Sequence, residues 1–224
     1  MSAGPGAGAA APVTRVLGFA EAELPAALAA QVAALEAEAW PGATPGHDPA
    51  LAPRALLLVT ADGTVAASLA LLFKDIRHAG RTYRAAGLSS VVTRRALRGR
   101  GCGARLVAAA RRELAAVPGL DLVLFSCDRP LAPFYEAAGF TRLPGAVLVG
   151  GTPEEPLATD GPGFDKEVLA EFLGPDGPDG PDGPDGPDGP DGPDGADGPD
   201  ARAGAAAFAG TRIDLHPGLV DRLW

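Results

Sequence analysis

The sequence predicts an α/β fold with a mixed, mostly antiparallel sheet and helices on both of its faces. Three strand patterns follow one another between residues 55 and 93 with turn signals between them, which is typical of an antiparallel meander. A glycine-rich loop, a helix and a buried strand come next, and this order makes one parallel crossover. Hydrophobic residues make up 46% of the 224 residues, enough for a sizeable core.

The first half of the chain contains a helix and the meander. Residues 1–12 are almost entirely Gly, Ala and Pro, and we expect them to be disordered. Apolar residues recur at helical spacing from Glu21 to Trp40, and Pro41-Gly42 ends this helix. Asp62-Gly63 is a hairpin turn signal. The predicted strands of the meander are 55–59, 64–76 and 82–93.

The second half begins with the crossover. A helix is predicted from Ala104 to Ala116, because its apolar residues share one face and its arginines the other. A buried strand is predicted from Leu120 to Phe125. The remaining expected elements are a short helix at 131–138, strands at 141–143 and 146–149, a short helix at 164–173 and a last strand at 207–215.

Residues 174–200 form nine Gly-x-Asp triplets, eight of them Gly-Pro-Asp. Glycine at every third position is the collagen spacing, but nine triplets with self-repelling Asp residues argue against a triple helix. We expect a semi-extended, solvated linker that interrupts one domain, because loop closure costs little extra as a loop lengthens. The predicted domain spans 13–173, and 201–224 supply its C-terminal strand and tail.

The formal net charge of −9 comes from the linker. Without its nine Asp residues, 19 acidic residues balance 19 basic ones. The stretch from Arg77 to Arg112 carries ten Arg and no acid, which suits an anionic partner. We expect no nucleic-acid partner, since aromatics are scarce among these arginines and the acidic linker would repel phosphates.

Cysteine and histidine usage indicates neither a disulfide framework nor a metal site. The two cysteines are Cys102 and Cys127, and the three histidines are scattered along the chain. No signal peptide and no run of about 18 apolar residues is evident. We therefore expect a cytoplasmic chain without membrane contact, as a monomer or homodimer.

The sharpest local signal is the loop Arg98-Gly99-Arg100-Gly101-Cys102-Gly103 between a strand and a helix. Glycines let the backbone approach a diphosphate, and unpaired N–H groups at a helix start favour an anion. A tight turn with solvated arginines is the alternative. A Rossmann site is excluded by the glycine spacing and the preceding meander, and a P-loop by the absence of Gly-Lys-Ser/Thr.

A second segment, Pro133-Phe134-Tyr135-Glu136-Ala137-Ala138-Gly139-Phe140, follows the next strand. Together the two segments resemble the GNAT superfamily of acetyltransferases, which has an Arg/Gln-x-x-Gly-x-Gly/Ala loop and a downstream Phe-Tyr-x-x-x-Gly-Phe helix. The resemblance covers about Ala55 to Leu143. It implies acetyl-CoA as the cofactor and direct transfer of an acetyl group to a primary amine of a small molecule or peptide.

The resemblance also implies roles for the matched positions. Tyr135 occupies the position of the tyrosine that protonates the departing thiolate, although a core aromatic is the alternative. Cys102 is interpreted as a small filler of the loop, or as a thiol made reactive by the helix start. The pantetheine arm would pair with the strand at Val91, Val92 and Thr93. The pyrophosphate would lie on the main chain of Arg98, Gly99, Arg100, Gly101, Cys102, Gly103 and Ala104.

The sequence leaves the base that deprotonates the amine unassigned. Many members of the family use a carboxylate on or near the strand before the glycine loop, but Leu88-Ser89-Ser90-Val91 offers none. Ser89 and Ser90 are predicted to face the substrate, where one of them could hold a water. Candidate acids elsewhere are Glu38, Asp48, Asp128 and the terminal carboxylate of Trp224, each of which is otherwise a solvated charge.

Three alternatives stay open. The missing base favours a catalytically inactive acyl-CoA-binding module. The segment Ile213-Asp214-Leu215 and the tail to Trp224 resemble the aminoglycoside 2′-N-acetyltransferase branch, where the tail would contact the substrate. A polycationic antibiotic needs acidic pocket groups that the sequence does not locate. A scaffold that recruits a basic partner through the acidic linker is the third alternative.

Overall fold

The computed structural model describes residues 14–151, 154–173 and 199–215, which form ten strands and four α-helices. The helices are α1 (Ala26–Ala39), α2 (Cys102–Ala115), α3 (Ala132–Glu136) and α4 (Pro199–Phe208). The strands are β1 (Thr14–Ala20), β2 (Arg54–Thr60), β3 (Val65–His78), β4 (Arg81–Thr93), β5 (Leu122–Asp128), β6 (Thr141–Arg142), β7 (Val147–Gly151), β8 (Pro156–Ala158), β9 (Lys166–Phe172) and β10 (Arg212–Asp214).

The main sheet has seven strands in the order β1-β2-β3-β4-β5-β9-β6, and a small second sheet has the order β10-β7-β8. The pairs from β1 to β4 are antiparallel, β4 and β5 are parallel, and β5, β9 and β6 are antiparallel. The predicted meander and parallel crossover through α2 are therefore confirmed, and so is the mixed, mostly antiparallel sheet.

Helices cover both faces of the sheet. The consecutive residues of β2 alternate between two separate clusters of the core, because successive side chains of a strand point to opposite faces. Leu56 and Leu58 pack in the cluster that contains α2, whereas Leu57 and Val59 pack with Leu35 of α1. This double burial explains why β2 has an unbroken apolar sequence.

The sheet opens between β4 and β5. Their pairing consists of Ala85 with Leu122 and Ala86 with Val123, so the strands part beyond these residues. On its other edge β4 has a β-bulge, since the register with β3 shifts between Ser68 and Ala70. Ser90 lies in this bulge with a φ of 50°, a left-handed conformation that is uncommon outside glycine.

Two predictions in the C-terminal part are wrong. The segment 164–173 is not a helix, because Val168, Leu169 and Ala170 lie in β9 between β5 and β6. The periodicity of a short apolar run does not distinguish a helix from a strand. Here the pairing with β5 and β6 makes the segment a strand. The strand predicted at 207–215 is limited to β10, since the alanine-rich residues before it continue α4 to Phe208.

The N-terminal part differs in three details. Strand β1 was not predicted. The helix predicted at 21–40 is a 3-10 turn at Glu21–Glu23 followed by α1, with Pro25 as N-cap. Helix α2 begins at Cys102 rather than Ala104, so part of the glycine loop is already helical. The predictions for 1–12 and for 174–198 of the linker fall outside the described residues, whereas residues 199 and 200, predicted as linker, begin α4.

Helix α4 packs against the end of β9. The rings of Phe172 and Phe208 are 5.4 Å apart, and Gly204 lies so close to the Phe172 ring that a Cβ there would be 2.7 Å from it. Leu173 continues from β9 by donating its N–H to the Asp121 carbonyl. The residues on the two sides of the acidic linker are thus in direct contact.

An ion pair joins α2 to β9, and we expect it to stabilise the fold. The Arg111 guanidinium contacts both carboxylate oxygens of Glu171 at 2.7 Å, which raises the pKa of Arg111. Glu171→Gln should lower the free energy of unfolding by about 1–2 kcal/mol, measured in urea, because it leaves a partly buried guanidinium unneutralised. Asp165→Asn, in an exposed pair with Arg129, should lower the free energy of unfolding less, because solvent screens exposed charges. Equal losses would contradict this.

Candidate active site

A cavity of about 420 Å³ lies where β4 and β5 part, beside α1. It is bounded by α1, the loop after that helix, the two strands and α3. Ser89 and Ser90, the predicted substrate residues, and Tyr135, the predicted acid, all line it. Its other polar residues include Glu36, Thr44, Ser126, Asp128 and Lys166.

Tyr135 has both of its predicted environments, since it packs in an aromatic cluster and also borders the cavity. Its side chain is buried, with ring centroids 5.0 Å from Phe125 and 4.9 Å from Phe134. Burial raises the pKa of the phenol, and nearby Cys127 and Asp128 raise it further. The phenol is therefore a neutral hydrogen-bond donor at physiological pH.

The glycine loop leads to an open helix start. Gly99 and Gly101 have φ angles of 73° and 76°, a conformation that glycine adopts without strain. Gly101 is the N-cap of α2; no described side chain caps the helix, and its first turn has no acid. Within the described part of the chain, the start of α2 therefore combines N–H groups that have no helical partner with the positive end of the helix dipole.

Close packing places this loop beside the end of β4 and beside α3. A Cβ on Gly103 would be 3.0 Å from the Thr93 hydroxyl and 3.5 Å from the Phe134 ring. Arg98 donates its Nε–H to the Thr93 carbonyl at 3.1 Å. Cys102 is buried in the core, as expected of a small filler. The glycine loop, the end of β4 and helix α3, which carries Tyr135, are thus neighbours.

The predicted base candidates have ordinary surroundings. Glu38 is exposed on α1, and Asp48 accepts a hydrogen bond from the Ala50 N–H at 2.8 Å. Asp128 lines the cavity and accepts from the Lys166 ammonium at 2.7 Å. Trp224, predicted as a substrate contact and as a source of a carboxylate, lies outside the described residues.

Sequence reasoning missed a histidine next to the cavity. His47 Nδ1 is 2.7 Å from a Glu21 carboxylate oxygen, and Nε2 is 3.1 Å from the Ser89 hydroxyl and 3.5 Å from that of Ser90. The His47 side chain is 4% exposed. Glu21, His47 and the serines lie 26 and 42 residues apart along the chain, so no local pattern could have revealed the contact.

Comparison with known families identifies the class of protein. A family model of acetyltransferases matches residues 27–140, about half of the chain, so the protein belongs to a family of acyl-transferring enzymes. That family is the Acetyltransferase (GNAT) family. The matched region includes both predicted motifs, the serines of the bulge and His47. No curated protein matches the chain in sequence.

Solved structures agree with the fold. ElaA of Escherichia coli is 15% identical with a TM-score of 0.50, and the match covers 71% of this chain and 99% of that one. An acyl-CoA N-acyltransferase from Pseudomonas aeruginosa is 19% identical with a TM-score of 0.51, over 71% and 99% of the two chains. At these identities the likeness demonstrates a shared fold and nothing finer.

The described residues bear on three expectations, which concern membranes, metal ions and the aminoglycoside branch. Within the described ranges, no helix combines the length and the apolar character needed to cross a membrane. The same part of the chain contains no group of three His, Cys, Asp or Glu side chains suited to a metal ion. Ile213 lies in a strand, β10, which pairs in parallel with β7. The aminoglycoside resemblance also depends on Trp224 and stays a prediction.

Proposed function

We propose that this protein transfers an acetyl group from acetyl-CoA directly to a primary amine of a small molecule or peptide. One observation carries the proposal. A helix start that no described side chain caps, suited to a diphosphate, lies beside the end of β4, and a buried phenol, suited to a thiolate, lines the cavity where β4 and β5 part. A Cβ on Gly103 would contact both the Thr93 hydroxyl and the ring of Phe134, the neighbour of Tyr135, so the two features lie close together.

The residues present fit coenzyme A. The N–H groups of Cys102, Gly103 and Ala104 would bind the pyrophosphate, and the exposed side chains of Arg98 and Arg100 add positive charge. The edge of β4 from Val91 to Thr93 faces the gap that β5 leaves, where the pantetheine arm would pair with the main chain. When bound, the thioester supplies an activated acyl group.

Tyr135 acts as the general acid in this proposal. Its raised pKa keeps the phenol protonated, so that it can donate its proton to the departing sulfur. Packing against Phe125 and Phe134 fixes the orientation of the ring. The amine acceptor would enter from the side of α1, between Trp40 and Leu131, whose exposed side chains border the cavity.

A thioester-release screen tests the proposed function. Purified protein is supplied with acetyl-CoA and with alkyl amines, amino acids, peptides and aminoglycosides, and free thiol is measured. We expect thiol release that depends on one amine class and an acetylated amine product by mass spectrometry. Tight coenzyme A binding by calorimetry without turnover on any amine would favour a binding module instead.

A further inference from the structure

The Glu21 carboxylate and the His47 imidazole form a pair next to Ser89 and Ser90, at the β-bulge of β4. The Glu21 carboxylate accepts two hydrogen bonds from His47, one from its backbone N–H at 2.9 Å and one from its ring at 2.7 Å. Glu21 is itself fixed, because its backbone N–H donates to the Pro53 carbonyl. The imidazole is therefore held by the carboxylate of a residue whose backbone is hydrogen-bonded to the chain just before β2.

These contacts determine the tautomer of the neutral imidazole. An ionised carboxylate only accepts hydrogen bonds, so Nδ1 of His47 carries the proton that faces Glu21. Nε2 then keeps its lone pair and accepts from the Ser89 hydroxyl at 3.1 Å, while the Ser90 hydroxyl lies 3.5 Å away as an alternative donor. The same order of carboxylate, imidazole and hydroxyl makes a histidine a proton acceptor in hydrolase triads.

The bulge explains why two adjacent serines reach one nitrogen. Successive side chains of a regular strand point to opposite faces, so Ser89 and Ser90 could not both approach Nε2. The left-handed conformation of Ser90 breaks this alternation. Both serines also border the cavity, whereas His47 is nearly fully buried behind them. Backbone strain at a functional site is often part of the mechanism.

We propose that Glu21, His47 and the serine pair form a proton relay that deprotonates the amine acceptor. This inference rests on the proposed acetyl transfer. A proton leaves the substrate ammonium for a serine oxygen while that hydroxyl passes its own proton to Nε2 of His47. Glu21 stabilises the resulting imidazolium, which later releases the proton to solvent. The serines touch the substrate, and His47 and Glu21 act through them.

The relay balances the overall reaction. Once neutral, the amine nitrogen forms a bond to the acyl carbon, and the carbon–sulfur bond breaks. The sulfur takes a proton from Tyr135, and the second proton lost by the nitrogen restores the phenol. Ammonium and thioester thus give amide, free thiol and one proton in solution. Of the four acids that the sequence suggested, none is needed.

Two acceptors of matched shape test the relay. An alkyl amine is an ammonium ion at neutral pH, like lysine, whereas an arylamine is already neutral and needs no prior deprotonation. His47→Gln should lower kcat/KM about a hundredfold with the alkyl amine and less than about threefold with the arylamine. A merely structural role would reduce both equally. His78→Gln, on a histidine that stacks on Phe208, is the matched control and should change neither value.

The carboxylate and the serines have their own variants. Glu21→Gln should reproduce a smaller acceptor-dependent loss, about tenfold. Glu23→Gln, in the same 3-10 turn but exposed, should have no effect. Replacing Ser89 and Ser90 together by Ala should match His47→Gln, because the hydroxyls are the link to the substrate. Thermal unfolding of each variant verifies that the fold is intact.

Nuclear magnetic resonance of the cofactor-free chain gives a readout independent of activity. The His47 ring should show the Nδ1–H tautomer, with a downfield proton that disappears in Glu21→Gln. Removing both serines should change the chemical shift of Nε2 and leave the signal of the Nδ1 proton unchanged. The opposite tautomer in the wild-type chain would overturn the relay.

The kinetic outcomes separate this proposal from the proposed function. A wild-type chain that acetylates no amine would refute the function. The relay alone would be refuted if the wild-type chain is active and His47→Gln lowers kcat/KM equally with both acceptors or with neither. A covalent acetyl group on Ser89 in the absence of amine would also refute it, because the serine would then be a nucleophile.

Discussion

Tyr135→Phe should lower kcat by about a hundredfold or more while leaving coenzyme A affinity unchanged. General acids of this kind contribute about 10² to 10⁴ in rate, and phenylalanine preserves the ring that packs on Phe125 and Phe134. Single-turnover kinetics with acetyl-CoA and the best amine would measure the chemical step, and calorimetry would measure the affinity. The loss should thus fall on chemistry rather than on binding.

The other tyrosine provides the control. Tyr83 lies on β4 against Phe208, and the Arg81 guanidinium is 4.6 Å from its ring centroid. Tyr83→Phe removes the same hydroxyl outside the cavity, so we expect wild-type kcat. Full activity in Tyr135→Phe, or an equal loss in both variants, would contradict the acid role.

The raised pKa of Tyr135 also predicts the pH profile. A phenol with a raised pKa keeps its proton to higher pH than free tyrosine, whose pKa is about 10. The acid form is therefore fully present below that pH and is lost only well above it. The wild-type kcat should show no decline from this group up to pH of about 10. A decline centred near neutral pH would identify a different acid.

Ala104→Glu should weaken coenzyme A binding about ten- to a hundredfold without destabilising the protein. Ala104 is exposed in the first turn of α2, where a carboxylate would occupy the proposed pyrophosphate site. Two negative charges about 5 Å apart repel by roughly 3 kcal/mol at an effective dielectric constant of about 20, and exposure reduces this. The helix itself should gain a few tenths of a kcal/mol from the acid at its start.

The same substitution at the other end of the helix is the matched control. Ala115 is the last residue of α2 and is exposed, so Ala115→Glu adds the same charge far from the loop. Its coenzyme A affinity should equal that of the wild type. The effect of Ala104→Glu should also shrink as salt is added, because exposed charges are screened. Equal affinities for the two variants would contradict the helix-start site.

The architecture was largely predictable because its signals are local. The Asp62-Gly63 turn and the apolar runs around it predict the meander, and the glycine loop predicts the crossover, since turn chemistry and short-range periodicity act within a few residues. Segment 164–173 was mispredicted for the opposite reason. Its run at Val168–Ala170 suits a buried strand or a short helix, and only contact with β5 and β6 distinguishes the two.

The candidate site was predictable only in part. Its glycine loop and its tyrosine each lie in a short motif, so both could be predicted from the sequence alone. His47 belongs to a proline-rich loop with no pattern of its own, and it acquires a partner on each side only through tertiary structure. The bulge at Ser90 was equally hidden, because nothing in Ser-Ser-Val indicates that one serine adopts a positive φ.

The contact between Phe172 and the helix at Gly204 and Phe208 has an evolutionary consequence. The chain leaves and re-enters the domain at neighbouring points, so the domain does not require any particular number of triplets between them. Each doubling of a flexible loop costs only about 0.6 kcal/mol of closure entropy. Repetitive coding sequence gains and loses units readily, and we expect such changes of length to leave the described fold unchanged.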